Sequence, residues 1–181
     1  MKQRRLVLAG LLATVLLQVT VLAAEYLNAV YPLWSGSEVR LATRPVDPRS
    51  LFRGNYARLR YDINRLPPAD LEALGRLRHN EIVYVRLERA ENGLHRYAGV
   101  SRTSPDQGLF IRGRSVAGSS RRTNGDNVLY GIDAWFAPKD KALALEHELA
   151  GGGVAVVMIA ANGKAALKNI IVGQQGDNPA N

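Results

Sequence analysis

Residues 6–24 (LVLAGLLATVLLQVTVLAA) carry no charge, and they directly follow a flank holding Lys2, Arg4 and Arg5. At about 1.5 Å of helical rise per residue, such a run matches the thickness of a bilayer's hydrocarbon core. A chain that opens this way must either hide the run or place it in lipid. The next basic residue is Arg40, and positive charge on the N-terminal side keeps that end cytoplasmic. The expectation is a single-pass inner-membrane anchor with the remainder delivered to the periplasm or extracytoplasmic space. A cleaved signal peptide is the alternative. Signal peptides have a shorter apolar core, roughly 7–15 residues, followed by small residues at the cut. Val21-Leu22-Ala23, or a cut one residue later at Ala24, would supply that site. The long run, without Pro or Gly near its end, argues for retention. So do Tyr26, Tyr31 and Trp34 in the semi-apolar stretch behind it, since these residues suit the membrane interface.

About 155 residues beyond the anchor suffice for one domain with its own core and are too few for two. The layout read from the chain is a basic flank at 1–5, the anchor at 6–24 and a juxtamembrane segment at 25–37. One exported domain follows at 38–172, and a polar, disordered tail at 173–181. Cysteine is absent, which removes disulfides, thiol nucleophiles and zinc–thiolate sites. Net charge is +8. Much of the excess lies early, in Arg40, Arg44, Arg49, Arg53, Arg58, Arg60 and Arg65, against Glu38, Asp47 and Asp62. A solvated, locally paired surface is the simpler reading. The sharper one sets this segment against an anionic lipid surface just outside the membrane. Nucleic acid is not an expected partner, because the basic residues are not interleaved with aromatics.

The exported part reads as mostly β. Period-two alternation marks strands at 38–43 and 56–63, the latter with Ala57, Leu59, Tyr61 and Ile63 on one face. Pro67 and Pro68 open a short helix over 69–77. Strands at 81–88 and 94–101 flank the hairpin turn Asn92-Gly93, and another strand covers 108–114. Residues 116–127 lack apolar periodicity and read as a loop. A strand at 129–136 and a helix at 138–150 come next. The strands 154–161 and 165–172 then meet at a second turn, Asn162-Gly163. The expected fold is α+β and β-rich: a transmembrane helix, then one antiparallel-sheet domain, barrel-like or a sandwich, with two short helices.

One stretch carries a recognisable pattern. Gly54-Asn55-Tyr56-Ala57-Arg58-Leu59-Arg60-Tyr61 resembles the signature of the bacterial GDYXXLXY family. The lead-in Pro45-Val46-Asp47-Pro48-Arg49, followed by Arg53, fits that family's Pro-x-Asp-Pro-Arg segment. Tyr130-Gly131-Ile132-Asp133, continuing to Phe136 and Pro138, fits its later segment. Asn55 stands where the family name has Asp, which counts against a catalytic carboxylate there. The resemblance implies a membrane-anchored protein without an assigned function, often encoded beside polytopic membrane proteins. The candidate binding residues are thus Asp47, Arg49, Arg53, Gly54, Asn55, Tyr56, Leu59 and Tyr61, with Tyr130, Gly131 and Asp133 as a second motif. The same residues also have a structural reading. Gly54 and Asn55 suit a turn, Tyr56, Leu59 and Tyr61 suit sheet faces, and Asp47 suits a tie to Arg49 and Arg53.

The search for chemistry is lean. His79, His95 and His147 are isolated in sequence and do not form a metal-ligand spacing. The serine elbow Gly-x-Ser-x-Gly is absent, and neither a metal nor another cofactor is expected. The function read from the chain is a non-catalytic extracytoplasmic domain that binds or assembles with a polytopic inner-membrane protein. Two alternatives stand beside it. One is a hydrolase similar to type I signal peptidases, with Ser50 as the nearest serine and Lys164 or Lys168 as its base. The other is a module for a small ligand or anion, with Ser119, Ser120, Arg121 and Arg122 in the 116–127 loop as candidate contacts.

Overall fold

A computed structural model describes residues 2–43, 56–116, 127–136 and 152–172. Helix α1 (Lys2–Ser35) runs without a break through the apolar stretch and the juxtamembrane segment. Its most apolar window has a mean hydropathy of 2.4 and none of that window is covered by the domain, so it is long and apolar enough to cross a membrane. Two polar side chains in it turn back on the helix. Thr14 Oγ1 donates to Gly10 O at 3.0 Å and Thr20 Oγ1 donates to Leu16 O at 2.8 Å.

Among the described residues nine strands follow: β1 (Ser37–Thr43), β2 (Tyr56–Arg58), β3 (Ile82–Arg89), β4 (His95–Ser101), β5 (Leu109–Ser115), β6 (Val128–Leu129), β7 (Ala134–Phe136), β8 (Gly153–Ile159) and β9 (Ala165–Val172). Seven of them form one sheet in the order β6-β5-β3-β4-β1-β8-β9, curled into a half-barrel, while β2 and β7 pair separately. This is the α+β, barrel-like architecture expected, with one refinement. The sheet is mixed, because β1 pairs antiparallel with β8 but parallel with β4, through Leu41 and His95.

Alternation decides which residues fill the curl. Val39 and Leu41 from β1, Val83, Val85 and Leu87 from β3, Ile111 from β5, and Ala155, Val157 and Ile159 from β8 and its end are buried in one cluster. Helix α2 (Pro68–Leu74) begins with proline in its first turn and stops at Gly75, whose φ is +67°. It is therefore shorter than the 69–77 expected. Both Asn-Gly turns form as read. Each glycine has φ near +77°, and the asparagine Oδ1 accepts the N–H two residues on, at 3.1 Å for Asn92 and 3.0 Å for Asn162.

Two expected strands are interrupted. In 56–63 the ladder stops at Arg58, Tyr61 makes an isolated bridge to Thr43, and residues 62–64 form a 3-10 turn. Asn64 Oδ1 takes the Tyr61 N–H, so a side chain replaces the ladder partner. In 129–136, Gly131 takes φ +76° and its N–H goes to Asp133 Oδ2, splitting the segment into β6 and β7. The expected helix at 138–150, most of the 116–127 loop and the tail at 173–181 lie outside the described residues.

Among the described residues, α1 meets the domain at the β8–β9 end of the sheet. Pro32 lacks an N–H, which leaves the Asn28 carbonyl four residues earlier without its helical donor. Lys164, one residue past the β8–β9 turn, donates its Nζ to Asn28 O at 2.7 Å. Pro32 is fully buried and Gly36 N donates to Pro32 O at 2.9 Å. A Cβ on Gly36 would collide with Pro32 O and come within 2.9 Å of the Ile159 backbone. Glycine is needed here for close approach, not for its backbone angles.

Candidate functional site

The two motifs found in the sequence meet in space. Leu59 N donates to Asp133 O at 2.8 Å. Tyr61 Oη then donates to Ile132 O at 2.7 Å, and Tyr130 Oη donates to Ile63 O at 2.6 Å. Each tyrosine thus bonds the carbonyl two residues beyond the other one. Leu59, Tyr61, Ile63, Tyr130 and Ile132 are all buried and belong to the same core cluster.

A buried asparagine completes the tie. Asn64 is 1% exposed. Its Oδ1 takes the Tyr61 N–H, its Nδ2 donates to Val128 O at 2.7 Å, and its own carbonyl accepts Asn127 N at 2.8 Å. Asn127 Oδ1 in turn accepts Leu66 N at 3.0 Å. Every one of these bonds joins the 59–66 segment either to itself or to the 127–133 segment. Sequence reasoning singled out the tyrosines and missed Asn64 and Asn127. The available signal was an asparagine beside Ile63 in an otherwise alternating run, where a polar side chain must find partners on burial.

The electrostatics suit structure better than reaction. Burial, and after it the negative charge of Asp133, pushes both the Tyr61 and Tyr130 hydroxyls above the ordinary tyrosine value. Both stay protonated at physiological pH and act as hydrogen-bond donors. Tyr97, whose Oη donates to Asp70 Oδ2 at 2.6 Å, is also raised, first by burial and then by that carboxylate.

The remaining candidates are placed as follows. Asp47, Arg49, Arg53, Gly54 and Asn55 lie outside the described residues. Tyr56 opens β2, with Phe136 of β7 opposite. Gly131 makes the break after β6, and Asp133 accepts the Gly131 N–H at 3.1 Å while lying beside the clasp. His95 Nδ1 accepts Arg40 N at 3.2 Å across the parallel β1–β4 pair. Among the described residues, no group of three or more His, Asp or Glu side chains is arranged to hold a metal. The lysines that a serine hydrolase would draw on have other partners, Lys164 on Asn28 and Lys168 on Glu38 at 3.1 Å. Ser50 lies outside the described residues.

A groove of about 410 Å³ lies beside these tied segments, lined by Tyr130, Gly131 and Asp133 together with Arg112, Arg114 and Lys164 among others. It lies where the two ends of the curled sheet approach, since Leu129 of edge strand β6 and Ala165 of edge strand β9 both line it. Gly163 O accepts Arg112 N at 2.7 Å and holds the two ends together.

Comparison with curated proteins finds no significant match, and comparison with solved structures finds none either. The family model described as GDYXXLXY protein matches residues 18–170. That stretch contains both motifs, the clasp between them and the junction with the anchor. The chain belongs to the GDYXXLXY protein family.

Proposed function

We propose that this protein is a single-pass, membrane-tethered domain, held on the extracytoplasmic side, that binds or assembles with a polytopic inner-membrane protein and performs no chemistry itself. The orientation rests on Lys2, Arg4 and Arg5 at the N-terminal flank. The observation that carries the partner reading is Gln18. It sits within the apolar run, about 4.5 Å along the axis from the centre of residues 6–24, on a stretch of helix that the domain leaves bare. A primary carboxamide in hydrocarbon is costly unless another group bonds it, and a helix of a second membrane protein supplies such groups. Gly10 and Thr14 precede Gln18 at four-residue spacing on the same face. With the Thr14 hydroxyl turned onto Gly10 O, that face is small enough for a neighbouring backbone to approach closely.

The burial of Leu59, Tyr61 and Tyr130 supports the same reading. These three side chains hold the domain together, which leaves recognition to the anchor and the outer surface. The experiment is a photo-crosslinking amino acid at position 18 in intact membranes. Crosslinks to one polytopic protein support the reading, and crosslinks to lipid alone contradict it. The anion-binding alternative retains one favourable observation, the cationic lining of the groove.

A further inference from the structure

We propose that the groove at the seam of the half-barrel is a binding site for the phosphate of an anionic phospholipid headgroup. Its cationic wall is built by two strand ends that meet. Arg112 and Arg114 of β5 are two residues apart and project to the same side, while their neighbours Ile111, Gly113 and Ser115 are buried. The Arg112 N–H is bonded to Gly163 O, which places Lys164 beside Arg112. All three side chains line the groove.

The site also stands at the right height. Lys164 touches Asn28, four residues past the end of the apolar run, which is about 6 Å along the helix axis. The headgroup layer on each side of a bilayer is roughly 5–8 Å thick. The Lys164 end of the groove therefore stands at the level where lipid phosphates lie. Tyr26 and Trp34, 66% and 70% exposed, bracket this height on the anchor.

The charges are available. Lys164 gives one N–H to Asn28 O and Arg114 gives Nη1 to Asn80 O at 3.2 Å, so both keep further donors. Asp133 is the carboxylate in the lining, and it is engaged by the Gly131 N–H. His79 also lines the groove. A phosphate accepts bidentate guanidinium bonds, and the apolar part of the lining, Ile82, Val116 and Leu129, suits the glycerol and first methylenes. The inference stands apart from the protein partner proposed above and does not use Arg49, Arg53 or Arg58.

The test uses the full chain in detergent, titrated with phosphatidylglycerol or phosphatidylcholine and read by native mass spectrometry. Preferential retention of phosphatidylglycerol is expected. Loss of roughly fivefold per arginine is expected in Arg112→Gln/Arg114→Gln, on the scale of one surface cation against an anionic membrane. The charge-matched control Arg89→Gln/Arg96→Gln should bind as the parent does. Equal loss in both double variants, or no headgroup preference in the parent, overturns the proposal. So does competition by millimolar inorganic phosphate at the strength of phosphatidylglycerol, which would make this a free-phosphate site. Loss only when a copurifying polypeptide is stripped away would assign the groove to a protein. If the double variant does not fold, Arg114→Gln alone, at an exposed position, carries the same comparison.

Discussion

Tyr61 and Tyr130 each donate a hydroxyl to the backbone two residues beyond the other, at 2.7 and 2.6 Å. The exchange stitches the signature strand to the later Tyr-Gly-Ile-Asp segment inside the core. It gives a physical reason for two tyrosine motifs about seventy residues apart.

Removing one hydroxyl leaves a buried carbonyl without its donor. Tyr61→Phe and Tyr130→Phe should each lower unfolding free energy by about 1–3 kcal/mol. Tyr61→Ala should cost more, about 3–5 kcal/mol, because the ring is also lost from the core. Urea denaturation in detergent measures all three. Because the two bonds tie the same pair of segments, the double Phe variant should depart from additivity.

Asn64 offers a sharper contrast. Asn64→Leu removes the acceptor for Tyr61 N and the donor for Val128 O together, so about 2–4 kcal/mol of stability should go. Asn64→Asp keeps the acceptor but turns a carboxylate towards Val128 O in a 1% exposed site, and should cost at least as much. A change below 0.5 kcal/mol in either variant would remove Asn64 from the clasp.

The anchor junction predicts a local effect. Lys164→Met frees the Asn28 carbonyl that Pro32 leaves without a helical donor, and Gly36→Val forces backbone apart at Ile159. Both should speed amide hydrogen exchange around residues 28–36 and 159–164 while leaving β3–β5 protected. Uniformly faster exchange across the sheet would mean that the junction is part of the global fold and not a separate fastening.

His95 predicts a pH dependence. Burial first, and then the Arg89 charge, hold its imidazole below the usual histidine value, and Arg40 N donates onto Nδ1. The unfolded chain therefore takes a proton more readily than the folded one. The contribution to stability is intact above the ordinary value of about 6.5 and is lost as pH falls through that value towards the folded one. His95→Asn, which can still accept the Arg40 N–H, should flatten the slope of stability between pH 7 and 5.5. An unchanged slope would assign it to another group.

How far the sequence revealed this molecule follows from which signals are periodic. The long apolar N-terminal helix, the burial of Leu59, Tyr61 and Ile63, and both Asn-Gly hairpins are local patterns and were readable. The breaks at residues 61–64 and 130–133 come from Asn64 and Asp133 side chains capturing backbone N–H groups, which alternation does not encode. The parallel β1–β4 pair joins Leu41 to His95, and no local pattern announces so distant a partner. The Lys164–Asn28 bond is of the same kind. Only the fold shows that Lys164 reaches the carbonyl that Pro32 leaves without a helical donor.

The central claim is that the signature motif builds the domain while recognition lies in the anchor. Gln18→Leu in the full chain tests this most directly, with copurification of crosslinked membrane protein read beside thermal unfolding of the domain. The account predicts a several-fold loss of the copurifying polytopic protein, with unfolding unchanged, since the domain leaves this part of the helix bare. Full recovery of the same partner by Gln18→Leu would contradict it.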